Sequence, residues 1–191
     1  MPLTFVTGPV RSGKSRFAER LARERGGDVV YAATARVDPG DAEWVARIAH
    51  HAARRPAAWR VVETAAAGAP SLAELARDTP AGTTLLVDSL GTWFAEAMSR
   101  ALETSGETAA LDSAALEADL AALARSLLAS PADVIVVGEE AGWGLVPPYA
   151  SGRVFRDVLG RVQQELAQGA ARAYLVVAGF ALDLTAAGLR V

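Results

Sequence analysis

The sequence predicts an α/β fold, a mostly parallel central sheet sandwiched between helices. Three observations carry the prediction. Short apolar runs alternate with segments of helical period along the 191 residues, the pattern left by repeated strand–helix crossovers. The runs are apolar on both faces, as a sheet covered on both sides requires. The first run stops at Gly8, and a glycine-rich loop then opens a helix, as in sheets that bind ligands at the carboxyl ends of their strands.

Each element has its own signal. "LTFVT" (3–7) reads as a strand, and "SRFAERLARER" (15–25) as a helix with Phe17, Ala18, Leu21 and Ala22 on one face. "DVVYAAT" (28–34) is a buried strand. "DAEWVARIAHHAAR" (41–54) is helical with Asp41 as N-cap, and "WRVVET" (59–64) is a short strand. "SLAELARD" places a glutamate three residues after a serine, a capping box. "TTLLVDS" (83–89) is a strand, followed by a helix over about 92–102 and a polar loop, "ETSGETAALDS" (103–113). Ser113–Leu128 is a helix and "DVIVVGEE" (133–140) a strand. After Pro147 and Pro148 comes the helix "SGRVFRDVLGRVQQELAQ" (151–168), and "AYLVVAG" (173–179) is expected to be the last strand. There is no internal repeat.

Composition narrows the function classes. Hydrophobic residues are 51% and charged residues 21%, which suits one globular domain with a sizeable core. A net charge of −3 argues against a general nucleic-acid binder. The absence of cysteine excludes disulfides, thiolate metal sites and cysteine nucleophiles, and fits a cytoplasmic location. "MPLTFVTGPV" has no basic region before an apolar run, so no signal peptide is expected.

"GPVRSGKS" is a Walker A loop in its proper context, after a strand and opening a helix. Its backbone and the helix N-terminus are suited to phosphate oxygens. Lys14 is expected on the outer phosphates and Ser15 on Mg²⁺. Asp88 closes an apolar strand at the Walker B position, where it would hold the metal or merely cap the next helix. Glu139 and Glu140 end another strand. Glu140, the stronger candidate, would bind metal, accept a substrate proton or fix the loop. The fold prediction sharpens to a three-layer sandwich of P-loop NTPase type, one nucleotide-binding domain over residues 1–191.

The only two histidines lie in "RIAHHAARRP". At 100° per residue, Trp44, Val45, Ile48 and Ala52 share a helix face and His51 lies at its edge. His50 lies opposite, with Arg47 and Arg54 at i−3 and i+4. That stripe is either a solvated charged face or a nucleophile among phosphate-binding arginines, since an imidazole can attack phosphorus.

Several motifs together resemble the bifunctional adenosylcobinamide kinase/adenosylcobinamide-phosphate guanylyltransferases of cobalamin biosynthesis. They are "VTGPVRSGKSRFAE", "VVYAAT", "RIAHHAARRPAAWRVVE", "EAGWGLVP" and "FRDVLGRVQQELA", in order along nearly the whole chain. The resemblance implies phosphorylation of adenosylcobinamide from ATP or GTP. It then implies transfer of GMP from GTP to adenosylcobinamide phosphate through a guanylylated histidine, which aligns with His50. It places GTP contacts on Gly8, Pro9, Val10, Arg11, Ser12, Gly13, Lys14 and Ser15, and on Ala33, Thr34 and Ala35. Further contacts fall on His51, Ala52, Ala53, Arg54, Glu63 and Asp88. It also implies a homotrimer. Two positions depart from the family's pattern: Glu139, often an asparagine, and Gln163, which stands where an Asn-Gln pair begins. From the residues alone, a plain small-molecule P-loop kinase and a nucleotide-dependent switch or binding subunit stay open.

Overall fold

The computed structural model describes residues 3–105 and 112–190. Its strands are β1 (Thr4–Thr7), β2 (Val29–Ala33), β3 (Arg60–Glu63), β4 (Thr84–Asp88), β5 (Asp133–Val137), β6 (Arg172–Val177) and β7 (Phe180–Asp183). Its helices are α1 (Lys14–Arg25), α2 (Ala42–Ala53), α3 (Leu72–Asp78), α4 (Leu90–Ser105), α5 (Ser113–Leu128), α6 (Ala150–Gly169) and α7 (Leu184–Ala187). A 3-10 turn spans Ala141–Trp143. The middle of the loop expected over 103–113 lies outside the described residues, and α4 extends further at both ends than the sequence predicts.

The strands form one sheet in the order β3-β2-β4-β5-β1-β6-β7, parallel except for β7. The two-residue period of a strand sends alternate side chains to opposite faces. Phe5, Leu85, Val87, Val134 and Val136 therefore pack beneath α3, α4, α5 and α6. Val6, Tyr31, Leu86, Ile135 and Val137 pack against Ala18 and Ala22 of α1. The outcome is the expected three-layer α/β sandwich.

Two local signals are realised in full. Asp41 caps α2 by accepting from the Trp44 N–H at 2.9 Å. Ser71 and Glu74 form the reciprocal capping box of α3. The histidine helix is only lightly packed. No residue of α2 is buried, and even Val45 on the predicted inner face is 37% exposed. The helix stands off the sheet, and the Trp44 indole N–H donates to Arg36 O at 2.8 Å.

The run over 173–179 is not the last strand. The chain turns at Ala178 (φ 51°) and Gly179 (φ 83°) and returns antiparallel as β7. Positive φ at both central residues is the geometry of a tight hairpin turn. Ala-Gly is a weak signal for it, because alanine rarely adopts that conformation. The strand is short and exposed, with Phe180 at 81%, so it carries no buried-strand pattern.

Candidate active site

The strand order brings the carboxyl ends of β1, β4 and β5 side by side, at the edge where parallel sheets bind ligands. The phosphate loop leaves β1 there. Arg11 (φ 58°) and Gly13 (φ 98°) take left-handed conformations that bend the loop into α1. Gly8 has no room for a side chain, because a Cβ would collide with the Val176 carbonyl oxygen. Gly13 is the N-cap of α1 and offers no side chain to the helix's first N–H groups, and the first turn holds no acid. Those donors remain available to an anion. Lys14 is buried and its Nζ donates to Pro9 O at 3.4 Å, while the buried Ser12 Oγ has no partner.

Ser15 Oγ donates to Asp88 Oδ1 at 3.0 Å. Tyr31, fully buried in β2, donates its hydroxyl to Asp88 Oδ2 at 2.5 Å. Burial, then the Asp88 charge, push the Tyr31 hydroxyl well above the ordinary tyrosine range, so it stays a donor. His51 Nδ1 lies 4.0 Å from the same Oδ2. Burial, reinforced by Arg54 and Arg47 and opposed by Asp88 and Glu19, holds the His51 imidazole below its usual value. After Asp88, Ser89 is fixed by Thr34, whose Oγ1 accepts from Ser89 N–H and donates to Ser89 O, both at 2.7 Å. The Ser15 hydroxyl and Asp88 carboxylate are hard oxygen donors and suit Mg²⁺. Among the described residues no group of three or more His, Cys, Asp or Glu side chains could hold a metal. The phosphates and water would therefore complete the shell, as Mg²⁺ sites commonly do.

The two glutamates divide, and Glu140 takes the loop-fixing one of its three expected roles. Glu140 Oε1 accepts from Thr7 Oγ1 at 2.7 Å, tying the loop to β1. It is Glu139 that lines a cleft with Lys14, Ser15 and Asp88. Its Oε2 accepts from Gly91 N–H at 2.8 Å. Gln163 brackets its backbone, accepting from Glu139 N–H at 2.7 Å and donating to Glu139 O at 3.0 Å. Burial raises the Glu139 carboxyl above the usual range, against the opposing pull of Ser89 and Lys14.

Two adjoining clefts share Lys14, Ser15, Arg47 and His51. The larger, about 470 Å³, has the phosphate loop on one side and Arg47, His50 and Arg54 on the other. The stripe read from the helical wheel therefore faces the phosphate loop. The smaller, about 130 Å³, is lined by Ala33, Ala35, Ala52, Glu63 and Asp88 among others. Gly8, Pro9, Val10, Thr34 and Ala53 line neither cleft. Gly8 and Pro9 shape the loop through their backbone, and Thr34 is spent on Ser89.

Sequence reasoning missed three contributors. Glu19 of α1 is 1% exposed and pairs with Arg54 at 3.1 Å and Arg23 at 3.8 Å. The Arg55 guanidinium lies 3.8 Å from the centre of the Tyr31 ring. Tyr31 itself reads only as an aromatic in a buried strand. The one available signal was the arginine-rich stretch 47–55, which lacks acids to balance it.

A glycine-rich phosphate loop opening a helix on a parallel sheet, with a carboxylate across from its serine, defines a P-loop nucleotide-binding protein. The whole fold agrees. The structure superposes on a prototypical ATPase from the type III secretion system of pathogenic bacteria with a TM-score of 0.57, at 11% identity. The match covers 98% of this chain and 58% of that one. The chain belongs to the cobinamide kinase / cobinamide phosphate guanyltransferase family, whose model matches residues 4–184. Membership assigns it those two transferase activities. It is 38% identical to the bifunctional adenosylcobalamin biosynthesis protein CobP of Pseudomonas aeruginosa, over 94% of this chain and 95% of that one. It is 35% identical to CobU of Escherichia coli, also named a bifunctional adenosylcobalamin biosynthesis protein, over 95% of this chain and 99% of that one. With CobU of Salmonella typhimurium it shares 36% identity over the same proportions.

Proposed function

We propose that one nucleotide site serves both reactions, and that His50 carries the guanylyl group between them. The observation that carries this reading is the placement of Lys14 and His50 on the walls of one cleft. In the kinase step Lys14 and the α1 N-terminus hold the phosphates of ATP or GTP; the substrate hydroxyl of adenosylcobinamide attacks the γ-phosphorus as the bond to the β,γ-bridging oxygen breaks, the nucleoside diphosphate leaves and the hydroxyl proton passes to solvent. Ser15 and Asp88 would hold Mg²⁺, which would supply charge neutralisation on those phosphates. In the transferase step an imidazole nitrogen of His50 attacks the α-phosphorus of GTP. The N–P bond forms as the bond to pyrophosphate breaks. An oxygen of adenosylcobinamide phosphate then attacks the same phosphorus, the N–P bond breaks, and adenosyl-GDP-cobinamide leaves with His50 restored.

Glu63 gives this site a way to choose GTP. Its carboxylate lines the smaller cleft with Ala33 and Ala35, where it can accept from guanine N1–H and N2–H; adenine lacks that pair of donors. Arg47 and Arg54 flank the incoming phosphates. The protein works in the cytoplasm, a reading supported by the cysteine-free sequence. Among the described residues no helix is long and apolar enough to cross a membrane. It assembles as a homotrimer, as the family resemblance implies, and the exposed apolar edge strand β7, with Phe180 81% and Leu182 52% exposed, offers a surface for a subunit contact.

The test uses GTP labelled at the α-phosphate and, separately, nucleotide labelled at the γ-phosphate. The protein should retain α-label, release it to adenosylcobinamide phosphate, and move γ-label to adenosylcobinamide. Kinase turnover without protein labelling would leave a plain small-molecule kinase, and binding without either would leave a switch.

A further inference from the structure

The loop between β5 and α6 exposes four large apolar side chains within seven residues: Trp143 (59%), Leu145 (96%), Val146 (68%) and Tyr149 (62%). Exposed apolar side chains clustered in one short loop mark a binding site more often than those scattered singly. The loop is held in place. Arg153 Nη1 donates to Pro147 O at 3.1 Å and to Pro148 O at 2.8 Å, and Arg156 Nη2 donates to Gly142 O at 3.0 Å. Its start is tied to the phosphate loop, with Glu140 N–H donating to Gly8 O at 3.2 Å, and it turns on itself there, with Trp143 N–H donating to Glu140 O at 3.4 Å. Beside it, Arg156 Nη1 is buried without a hydrogen-bond partner.

The two clefts account for the nucleotide, and no residue has yet been given to the second substrate. Cobinamide is a corrin, a broad flat macrocycle with apolar faces and a rim of amides. Such a ligand needs an apolar platform with a few fixed polar groups at its edge, set beside the phosphate loop so that its hydroxyl reaches the γ-phosphorus. We propose that the loop 141–149 is the corrin platform of this enzyme: Trp143, Leu145, Val146 and Tyr149 cover one face of the macrocycle, while Arg153 and Arg156 hold the loop's backbone in place beneath it. The proposal rests on the cobinamide reading of function. The loop's attachment to Gly8 favours this occupant over a second subunit or a lipid surface, neither of which requires proximity to the phosphates.

Leu145→Ser/Val146→Ser is the variant to test, because both side chains are solvent-exposed and their loss opens no cavity. Its KM for adenosylcobinamide should rise about tenfold or more, the scale set by losing two buried aliphatic contacts. Binding of dicyanocobinamide, followed by equilibrium dialysis and visible absorbance, should weaken in step. Labelling by α-labelled GTP, which needs no corrinoid, and the solution mass by light scattering should match wild type. Unchanged KM and dialysis overturn the platform. A rise in KM accompanied by a lower mass or lost labelling also overturns it, since subunit contacts or general damage then explain the effect. Sedimentation of wild type with phosphatidylglycerol vesicles, abolished in the variant with KM unchanged, would give the patch to a lipid surface. If wild type turns over no cobinamide yet the dialysis difference holds, the kinase reading fails and the platform stands.

Discussion

Ser15 Oγ donates to Asp88 Oδ1 at 3.0 Å, joining the first turn of α1 to the carboxyl end of β4. Both groups present hard oxygens to one point, so their loss should look alike. Ser15→Ala and Asp88→Asn are each expected to raise the Mg²⁺ concentration needed for half-maximal kinase rate. Lys14→Ala, which removes charge from the outer phosphates, should instead lower the rate about a hundredfold or more at saturating Mg²⁺. Titrating Mg²⁺ in the three variants checks the division. A Lys14→Ala defect that excess Mg²⁺ repairs would mean that the lysine serves the metal.

Tyr31→Phe removes the donor to Asp88 Oδ2. The acceptor is charged and the site is buried, so urea unfolding should show a loss of about 1–3 kcal/mol. The freed carboxylate should also turn more readily toward His51, which lies 4.0 Å away. Mg²⁺ dependence should therefore shift in the direction seen for Asp88→Asn, by less. Unchanged stability would show that water replaces the hydroxyl.

What the sequence revealed and what it hid follow one physical line. The phosphate loop, the Asp41 cap and the Ser71–Glu74 box are local, and each is written within a few residues. Asp88 was legible because it ends an apolar run. The Glu19–Arg54 pair joins α1 to the stretch after α2, 35 positions apart, and nothing nearby in the sequence announces it. Of the roles open to Glu140, the structure shows the tie to the loop, through Thr7 Oγ1. Which of the two carboxylates faces the cleft is set by the backbone beyond Val137, where β5 ends, and the sequence does not write it.

Glu139 should make the protein pH-sensitive in a specific direction. Burial raises its carboxyl above the unfolded value. Between those two values the folded state holds more protons than the unfolded state, so stability falls as pH rises through that window. The isosteric Glu139→Gln keeps an oxygen for Gly91 N–H and removes the charge. It should be more stable than wild type at neutral pH, and the gap should close as pH falls below the ordinary glutamate range near about 4.3. Denaturant midpoints for both proteins across that range test it. A gap that widens toward acid would reverse the assignment.

The nucleophile can be isolated from the rest of the site because His50 and His51 are neighbours with different surroundings. His50 is exposed and lines the larger cleft alone, whereas His51 is half-buried, lines both clefts and lies near Asp88. His50→Ala removes no packed group, so its stability should stay within about 0.5 kcal/mol of wild type. It should show no α-label on the protein and no GMP transfer, while phosphorylation of adenosylcobinamide, which uses Lys14, Ser15 and Asp88, proceeds near the wild-type rate. His51→Ala should retain part of the labelling and lose rate in both steps, because it disturbs the carboxylate that the phosphate loop leans on. The wild-type adduct should be a phosphoramidate, lost in acid and persistent in base. Incubating the three proteins with α-labelled GTP, washing at low and high pH, and assaying kinase turnover in parallel reads all of these at once. Label on His50→Ala equal to wild type would place the nucleophile elsewhere, and acid-stable label would point to an oxygen ester in place of the histidine adduct.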